Sequence, residues 1–95
     1  MEHGPVVSDN GDLRRFELVV DGEIVGFADY VVHGDTMVMP HTVIDPAHRR
    51  KGLGAILVRG ALDDIRRRGF SVDPQCWYVA EFIHGHDGYS DLLRR

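Results

Sequence analysis

Ninety-five residues, 43% hydrophobic and 27% charged, describe one small globular domain spanning residues 1–95, with a thin margin of buried core. The formal net charge of −4 argues against non-specific binding to nucleic acid, which relies on a cationic surface. No apolar run reaches membrane-spanning length, the N-terminal residues lack the basic and apolar regions of a secretory leader, and a single cysteine excludes an internal disulfide, so a cytoplasmic protein is expected.

Residues 1–12 are polar with Gly and Pro and are expected as a loose tail around a short strand. Residues 14–20 read as a strand that ends at the turn Asp21-Gly22, a strong hairpin signal. Residues 23–32 form the second strand, His33-Gly34-Asp35 the next turn, and residues 36–44 the third strand. Asp45-Pro46 stops it, because proline has no N–H for a ladder and restricts the residue before it. The three strands should make an antiparallel meander.

A long amphipathic helix comes next. Leu53, Ile56, Leu57, Gly60, Ala61 and Ile65 recur at helical spacing, while Arg59, Asp63, Arg66 and Arg67 take the other face. Asp63 with Arg67 and Asp64 with Arg68 are spaced for ion pairs, and Gly69 suits the helix end. Residues 70–73 give a short fourth strand stopped by Pro74, residues 77–84 a second helix broken by Gly85, and residues 91–95 a short helical tail. The order is β-β-β-α-β-α. The helix joins strands three and four, so those two should lie side by side and parallel, leaving a cleft near the loop between them.

That loop, Arg49-Arg50-Lys51-Gly52-Leu53-Gly54, is the most informative stretch of the chain. A glycine-rich turn opening a helix gathers unpaired backbone N–H groups in front of a positive helix end, which is a site for pyrophosphate. Seven of the eleven Lys and Arg residues lie between Arg49 and Arg68, so the positive charge is local to this region. Lys51 precedes the glycines and no Ser or Thr follows a Gly-Lys pair, so the loop is not a Walker loop; it also lacks the third glycine of a dinucleotide fingerprint.

An antiparallel strand, then Arg-x-x-Gly-x-Gly, an amphipathic helix and a short strand resemble the GCN5-related N-acetyltransferases. The segments 21–30, His41-Thr42-Val43-Ile44, Gly52-Leu53-Gly54, Ala61-Leu62, Arg68-Gly69 and 74–79 are similar to the short, single-domain branch of that superfamily, over about residues 16–93. The resemblance implies an α/β (α+β) fold: a minimal acetyltransferase-like mixed sheet with one long helix packed on it. It implies acetyl-CoA as a substrate, held at its pyrophosphate by Arg49, Arg50, Lys51, Gly52, Leu53 and Gly54 and along its pantetheine arm by the main chain of Val43 and Ile44. The expected acceptor is an amine, small or a protein lysine; no nucleic acid or membrane partner is expected, and the protein is expected to be a monomer or a dimer.

For the chemistry, Cys76 is the branch's suggested catalytic residue, as acetyl carrier or base, against a reading as a half-buried small apolar side chain. His41 is a candidate base, since histidine titrates nearest neutrality, and Tyr89 a candidate acid by motif position, with packing roles as the alternatives. His33, His84 and His86 supply no convincing metal spacing, so no metal is expected. Two positions depart from the branch: Val43 stands where an acidic residue is common, and His86-Asp87-Gly88-Tyr89 stands in place of His-Pro-Glu-Tyr. A non-catalytic CoA- or acyl-CoA-binding module is the rival reading, and a protein-interaction domain with a vestigial loop a third.

Overall fold

The structure, a computed structural model, describes residues 4–49 and 52–93. Its strands are β1 (Val6–Asn10), β2 (Arg15–Val20), β3 (Glu23–Asp29), β4 (Val31–His33), β5 (Thr36–Val38), β6 (Thr42–Ile44) and β7 (Ser71–Asp73), with helices α1 (Leu53–Arg67) and α2 (Trp77–His84). Short 3-10 turns occupy Pro46–His48 and Asp87–Leu92. The tail expected over residues 1–12 carries a true edge strand, β1, paired antiparallel with β2.

The Asp21-Gly22 hairpin forms as its sequence requires. Both residues take positive φ, +50° and +80°, which matches the right-handed twist of the flanking strands. One long hairpin then runs from β3 through β4, back along β5 and into β6. It is interrupted rather than continuous: β3 pairs with β6 and β4 with β5, in registers offset by one residue. The extra residue lies in Met39-Pro40-His41, where proline cannot donate to the ladder. The expected strands 23–32 and 36–44 are thus each split at this bulge.

The split has a structural consequence. The bulge turns the Met39 backbone away from the hairpin and onto β7 and the turn after it: Met39 N–H donates to Asp73 O at 2.9 Å and Cys76 N–H donates to Met39 O at 2.8 Å. Two sheets result, β1-β2-β3-β6 and β4-β5-β7, and only the second contains the parallel pair expected from the crossover helix. β5 and β7 run together, while β6 peels off and keeps an open outer edge.

α1 covers one face of the first sheet. Leu57, Val58, Ala61, Leu62 and Ile65 are buried against Phe16, Leu18 and Ala28. At about 1.5–3 kcal/mol for each large apolar side chain, this face outweighs the helix's own propensity, which two internal glycines lower. Gly60 lets β1 come close, since a Cβ there would lie 2.6 Å from that of Val7. The helix ends at Gly69, φ +79°, whose N–H donates to Arg66 O at 3.0 Å. Of the two expected i,i+4 ion pairs only Asp64–Arg68 forms, at 2.6 Å, because Asp63 accepts the Tyr89 hydroxyl instead.

Arg68 also pairs with Asp9 of β1 at 2.7 Å, and the Tyr30 hydroxyl donates to the same carboxylate at 2.7 Å. Burial and this carboxylate together push the Tyr30 phenol up to about 12. Unfolded tyrosine ionises near 10, so the folded state keeps its Tyr30 proton longer than the unfolded one. The Tyr30 contribution to stability is therefore complete below pH ~10 and is lost as pH rises toward ~12. Tyr30→Phe should flatten that alkaline decline in denaturation midpoints, and an unchanged decline would remove Tyr30 as its source.

Candidate functional site

The open edge of β6 faces a cavity of about 440 Å3 lined by Thr42, Val43, Ile44, Arg49, Gly52, Gly54, Cys76, Trp77 and Tyr78. Its floor is set by ladder parity. Asp45 N–H donates to Val25 O and Asp29 N–H to His41 O, so pairs 25/45 and 29/41 each carry a ladder hydrogen bond. By alternation the pair Phe27/Val43 does so as well, while the N–H and C=O groups of Thr42 and Ile44 point outward. The expectation that Val43 and Ile44 offer main-chain groups is corrected on this point. Val43 spends its own on β3, and the outward-facing main-chain groups belong to Thr42 and Ile44.

One end of the cavity is the start of α1. Gly52 sits at the N-cap with φ +69°, a left-handed conformation that L side chains rarely adopt, and no side chain caps the helix. The first intrahelical bond runs from Ile56 N–H to Gly52 O, leaving the N–H groups of Leu53, Gly54 and Ala55 without intrahelical partners. Leu53 contributes only backbone, because its side chain is buried in the core. Arg49 reaches the strand edge, its Nε donating to Ile44 O at 3.2 Å. Arg50 and Lys51, the other expected cations, lie outside the described residues. The Tyr78 ring lies over Gly54, where a Cβ would be 2.7 Å from the hydroxyl.

The other end is Cys76, at the N-cap of α2 and 9% exposed. Its thiol is 3.5 Å from Thr42 Oγ1. Burial pushes the Cys76 thiol up, but hydrogen bonds from the Thr42 hydroxyl and from the backbone N–H groups of Val79, Tyr78 and Thr42 together outweigh it and hold the thiol below its ordinary value. Alkylation by iodoacetamide should therefore reach half its maximal rate at a lower pH than for an ordinary cysteine. Thr42→Val, which swaps the hydroxyl for a methyl, should move that midpoint upward. Intact mass against pH checks both, and a midpoint unmoved in Thr42→Val would discharge the hydroxyl from this role.

Adjoining the first, toward the start of β6, is a second cavity, again about 440 Å3, lined by Phe27, Asp29, Pro40, His41, Thr42, Val43, Gln75, Cys76 and Trp77. The two cavities share Thr42, Val43, Cys76 and Trp77, so both end at the same thiol. His41 stands at the mouth of the second one, its side chain 71% exposed. Asp29 fixes it twice, accepting from the His41 backbone N–H at 3.0 Å and meeting Nδ1 at 3.1 Å. This holds the ring by one nitrogen, Nδ1.

The structure thus brings together Cys76, His41, Arg49, Gly52 and Gly54, and leaves Tyr89 out. Tyr89 lines neither cavity. Its hydroxyl donates to Asp63 at 2.7 Å, its ring carries Arg66 at 5.2 Å, and it ties the C-terminal turn to α1. Burial first, then the Asp63 hydrogen bond and charge, push its phenol up, which suits a packed tyrosine. Tyr78 is the tyrosine of the cleft. Asp29, Phe27, Gln75 and Trp77 had no assigned role in the sequence. Asp29 was findable only through its hairpin partner, since a register that pairs Gly26 with Ile44 sets Asp29 opposite His41.

Among the described residues no group of three His, Cys, Asp or Glu side chains could hold a metal ion, and no helix is long and apolar enough to cross a membrane.

A family model described as GCN5-related N-acetyl-transferase matches residues 15–92. The chain is 36% identical over 64 residues to streptothricin acetyltransferase of Streptomyces lavendulae, covering 64% of this chain and 34% of that protein. It is 46% identical over 57 residues to mycothiol acetyltransferase of Nocardia farcinica (strain IFM 10152), covering 59% of this chain and 19% of that protein. Its fold is similar to the crystal structure of the ribosomal-protein-S18-alanine N-acetyltransferase from Escherichia coli, with TM-score 0.57 and 29% identity over 62% of this chain and 40% of that one. The chain therefore spans between 19% and 34% of the length of these two curated relatives.

Proposed function

The chain belongs to the GCN5-related N-acetyltransferase family, and from that premise we propose that it binds acetyl-CoA in the first cavity and transfers the acetyl group to an amine entering from the second. The observation that carries this reading is the continuity of the first cavity. It runs from an uncapped helix start with a φ-positive glycine, along an open strand edge, to a thiol held below its ordinary pKa.

The residues fit the parts of such a substrate. The N–H groups of Leu53, Gly54 and Ala55, with Arg49, suit a pyrophosphate, and Arg50 and Lys51 add charge from the adjoining positions of the sequence. The outward main chain of Thr42 and Ile44 suits the amides of a pantetheine arm, in a strand-like pairing, with the Val43 side chain in contact. At the far end the Thr42 N–H would polarise the thioester carbonyl. His41, steadied by Asp29, would take the proton of an amine that arrives charged.

Cys76 has two chemically complete roles. As a thiolate it attacks the acetyl carbon, expelling the coenzyme thiolate, and then yields the acetyl group to the amine. Alternatively it accepts the proton that the amine loses during direct transfer. The names of the relatives carry different targets, streptothricin, mycothiol and an alanine of ribosomal protein S18, so they do not single out an acceptor.

Calorimetry should show binding of CoA and acetyl-CoA, and thiol release should exceed background with at least one of a panel of amines, polyamines and lysine peptides. No binding of either nucleotide overturns the proposal; binding without thiol release reduces it to a binding module. After incubation with acetyl-CoA, an acetyl adduct on the intact wild type but not on Cys76→Ala identifies the carrier role. No adduct with undiminished turnover in Cys76→Ala takes the thiol out of the chemistry.

A further inference from the structure

The wall of the second cavity carries more chemistry than a generic amine needs. Asp29 contributes a carboxylate whose side chain is 35% exposed, and both its oxygens are engaged by His41 alone, which leaves lone pairs for a further donor. No Lys or Arg lines this cavity among the described residues. Arg15, directly across the β2–β3 pair from Asp29, sits over the Phe27 ring at 4.6 Å and is paired with Glu17 at 2.8 Å rather than with Asp29. Arg49 belongs to the first cavity. The second cavity is thus electrostatically suited to a cation.

Trp77 supplies the second observation. It is 74% exposed, the most exposed large apolar side chain among the described residues, although it opens a helix whose Val79, Phe82 and Ile83 are buried. The Tyr78 ring meets it edge-on at 5.8 Å, leaving the indole otherwise open at the cavity rim. The fold gains little from an indole left in water, whereas an aromatic face beside a carboxylate is a recognised seat for an ammonium group. Phe27, Pro40 and Val43 add an apolar wall.

We infer that the second cavity selects a primary alkylammonium carried on an apolar, aromatic body, with Asp29 receiving the ammonium and Trp77 covering it. The inference rests on the proposed acetyl transfer for its meaning as an acceptor site, but the binding it asserts needs no CoA. A cavity of about 440 Å3 has room for a molecule of phenethylamine's size.

Trp77 is the only tryptophan of the chain and stands where the two cavities meet, so its fluorescence reports a ligand there in the full chain and without a nucleotide, and the Asp29 variant assigns the signal to the second cavity. Phenethylamine should change that fluorescence saturably, with half-saturation below about 10 mM. Its neutral and anionic relatives, 2-phenylethanol and 3-phenylpropionate, should need about tenfold more, and Asp29→Asn should weaken phenethylamine by about tenfold while leaving CoA affinity within twofold. The inference is overturned if 2-phenylethanol or 3-phenylpropionate binds as well as phenethylamine, if Asp29→Asn changes half-saturation less than about twofold, or if phenethylamine gives no saturable change. Far-ultraviolet circular dichroism of Asp29→Asn checks that the hairpin survives; should it not, Asp29→Glu, which keeps the charge, must retain the preference for the cation. Loss of CoA binding in the wild type would sink the transferase proposal and leave this result standing.

Discussion

Gly54→Leu is expected to abolish most of the proposed CoA binding and to leave the fold in place. Gly54 is the second residue of α1, in ordinary helical conformation, so the backbone accepts a side chain there and the helix gains up to about 1 kcal/mol in propensity. The space does not accept one. A Cβ would meet the Tyr78 hydroxyl at 2.7 Å and its ring carbon at 3.0 Å, and an isobutyl group would stand across the uncapped N–H groups of the first turn. Losing one or two charge-assisted hydrogen bonds costs roughly 3 kcal/mol, or about a hundredfold in affinity. Calorimetry with CoA measures it, with the thermal midpoint as the control for folding. The smaller Gly54→Ala should act mainly through Tyr78, so adding Tyr78→Phe, which removes the atom at 2.7 Å, should recover much of its loss. A Gly54→Leu protein that binds CoA like the wild type would show that the anion site at this helix start is not used.

Gly26→Val is expected to be costly to stability and to the site at once. Gly26 faces Ile44 across the β3–β6 pair, and a Cβ there would lie 2.6 Å from Ile44 Cδ1 and 2.9 Å from the Val43 carbonyl oxygen. The side-chain atom can move aside; the backbone oxygen moves only if β6 leaves its register. Overpacking of this kind costs about 3 kcal/mol, a large share of the 5–15 kcal/mol that holds a small domain together. Chemical denaturation should therefore show a clear loss of stability. Because β6 carries the Thr42 and Ile44 edge, CoA affinity should fall even where the protein remains folded. Gly26→Val/Ile44→Ala relieves the side-chain contact alone, so only partial recovery is expected. Full recovery would mean that the carbonyl contact does not matter and that β6 is not positioned by this glycine.

The parts of this protein that were legible in its sequence are those decided by neighbours along the chain. The Asp21-Gly22 turn, the span of α2 and the glycine start of α1 follow from local φ preferences and a 3.6-residue period and appear as read, whereas the apolar face of α1 is turned slightly from its reading: Ile56 is 38% exposed, and Val58 and Leu62 are buried in its stead. The parallel pairing of a strand before α1 with one after it also follows, because a helical crossover leaves few other places for the second strand. Arg49, Gly52 and Gly54 at the cavity were local readings of the same kind.

What the sequence left open depends on pairing across the sheet. Nothing local distinguishes two long strands from four short ones around Met39-Pro40-His41. The bulge is fixed only when Met39 finds Asp73 and Cys76, more than thirty residues away in sequence. That same choice frees the edge of β6, sets Thr42 rather than Val43 outward by ladder parity, and puts Asp29 behind His41. Tyr89 and Tyr78 carry the same chemistry in sequence, and only packing separates them: Asp63 and Arg66 hold Tyr89 on the flank of α1, while Gly54 admits the Tyr78 ring to the cleft. Sequence alone determined the family resemblance and the glycine-opened helix start at one end of the cavity, because backbone conformation and helix starts are local properties. Tertiary structure decided which groups meet at the thiol end, because that depends on register and side-chain packing between segments far apart in the chain.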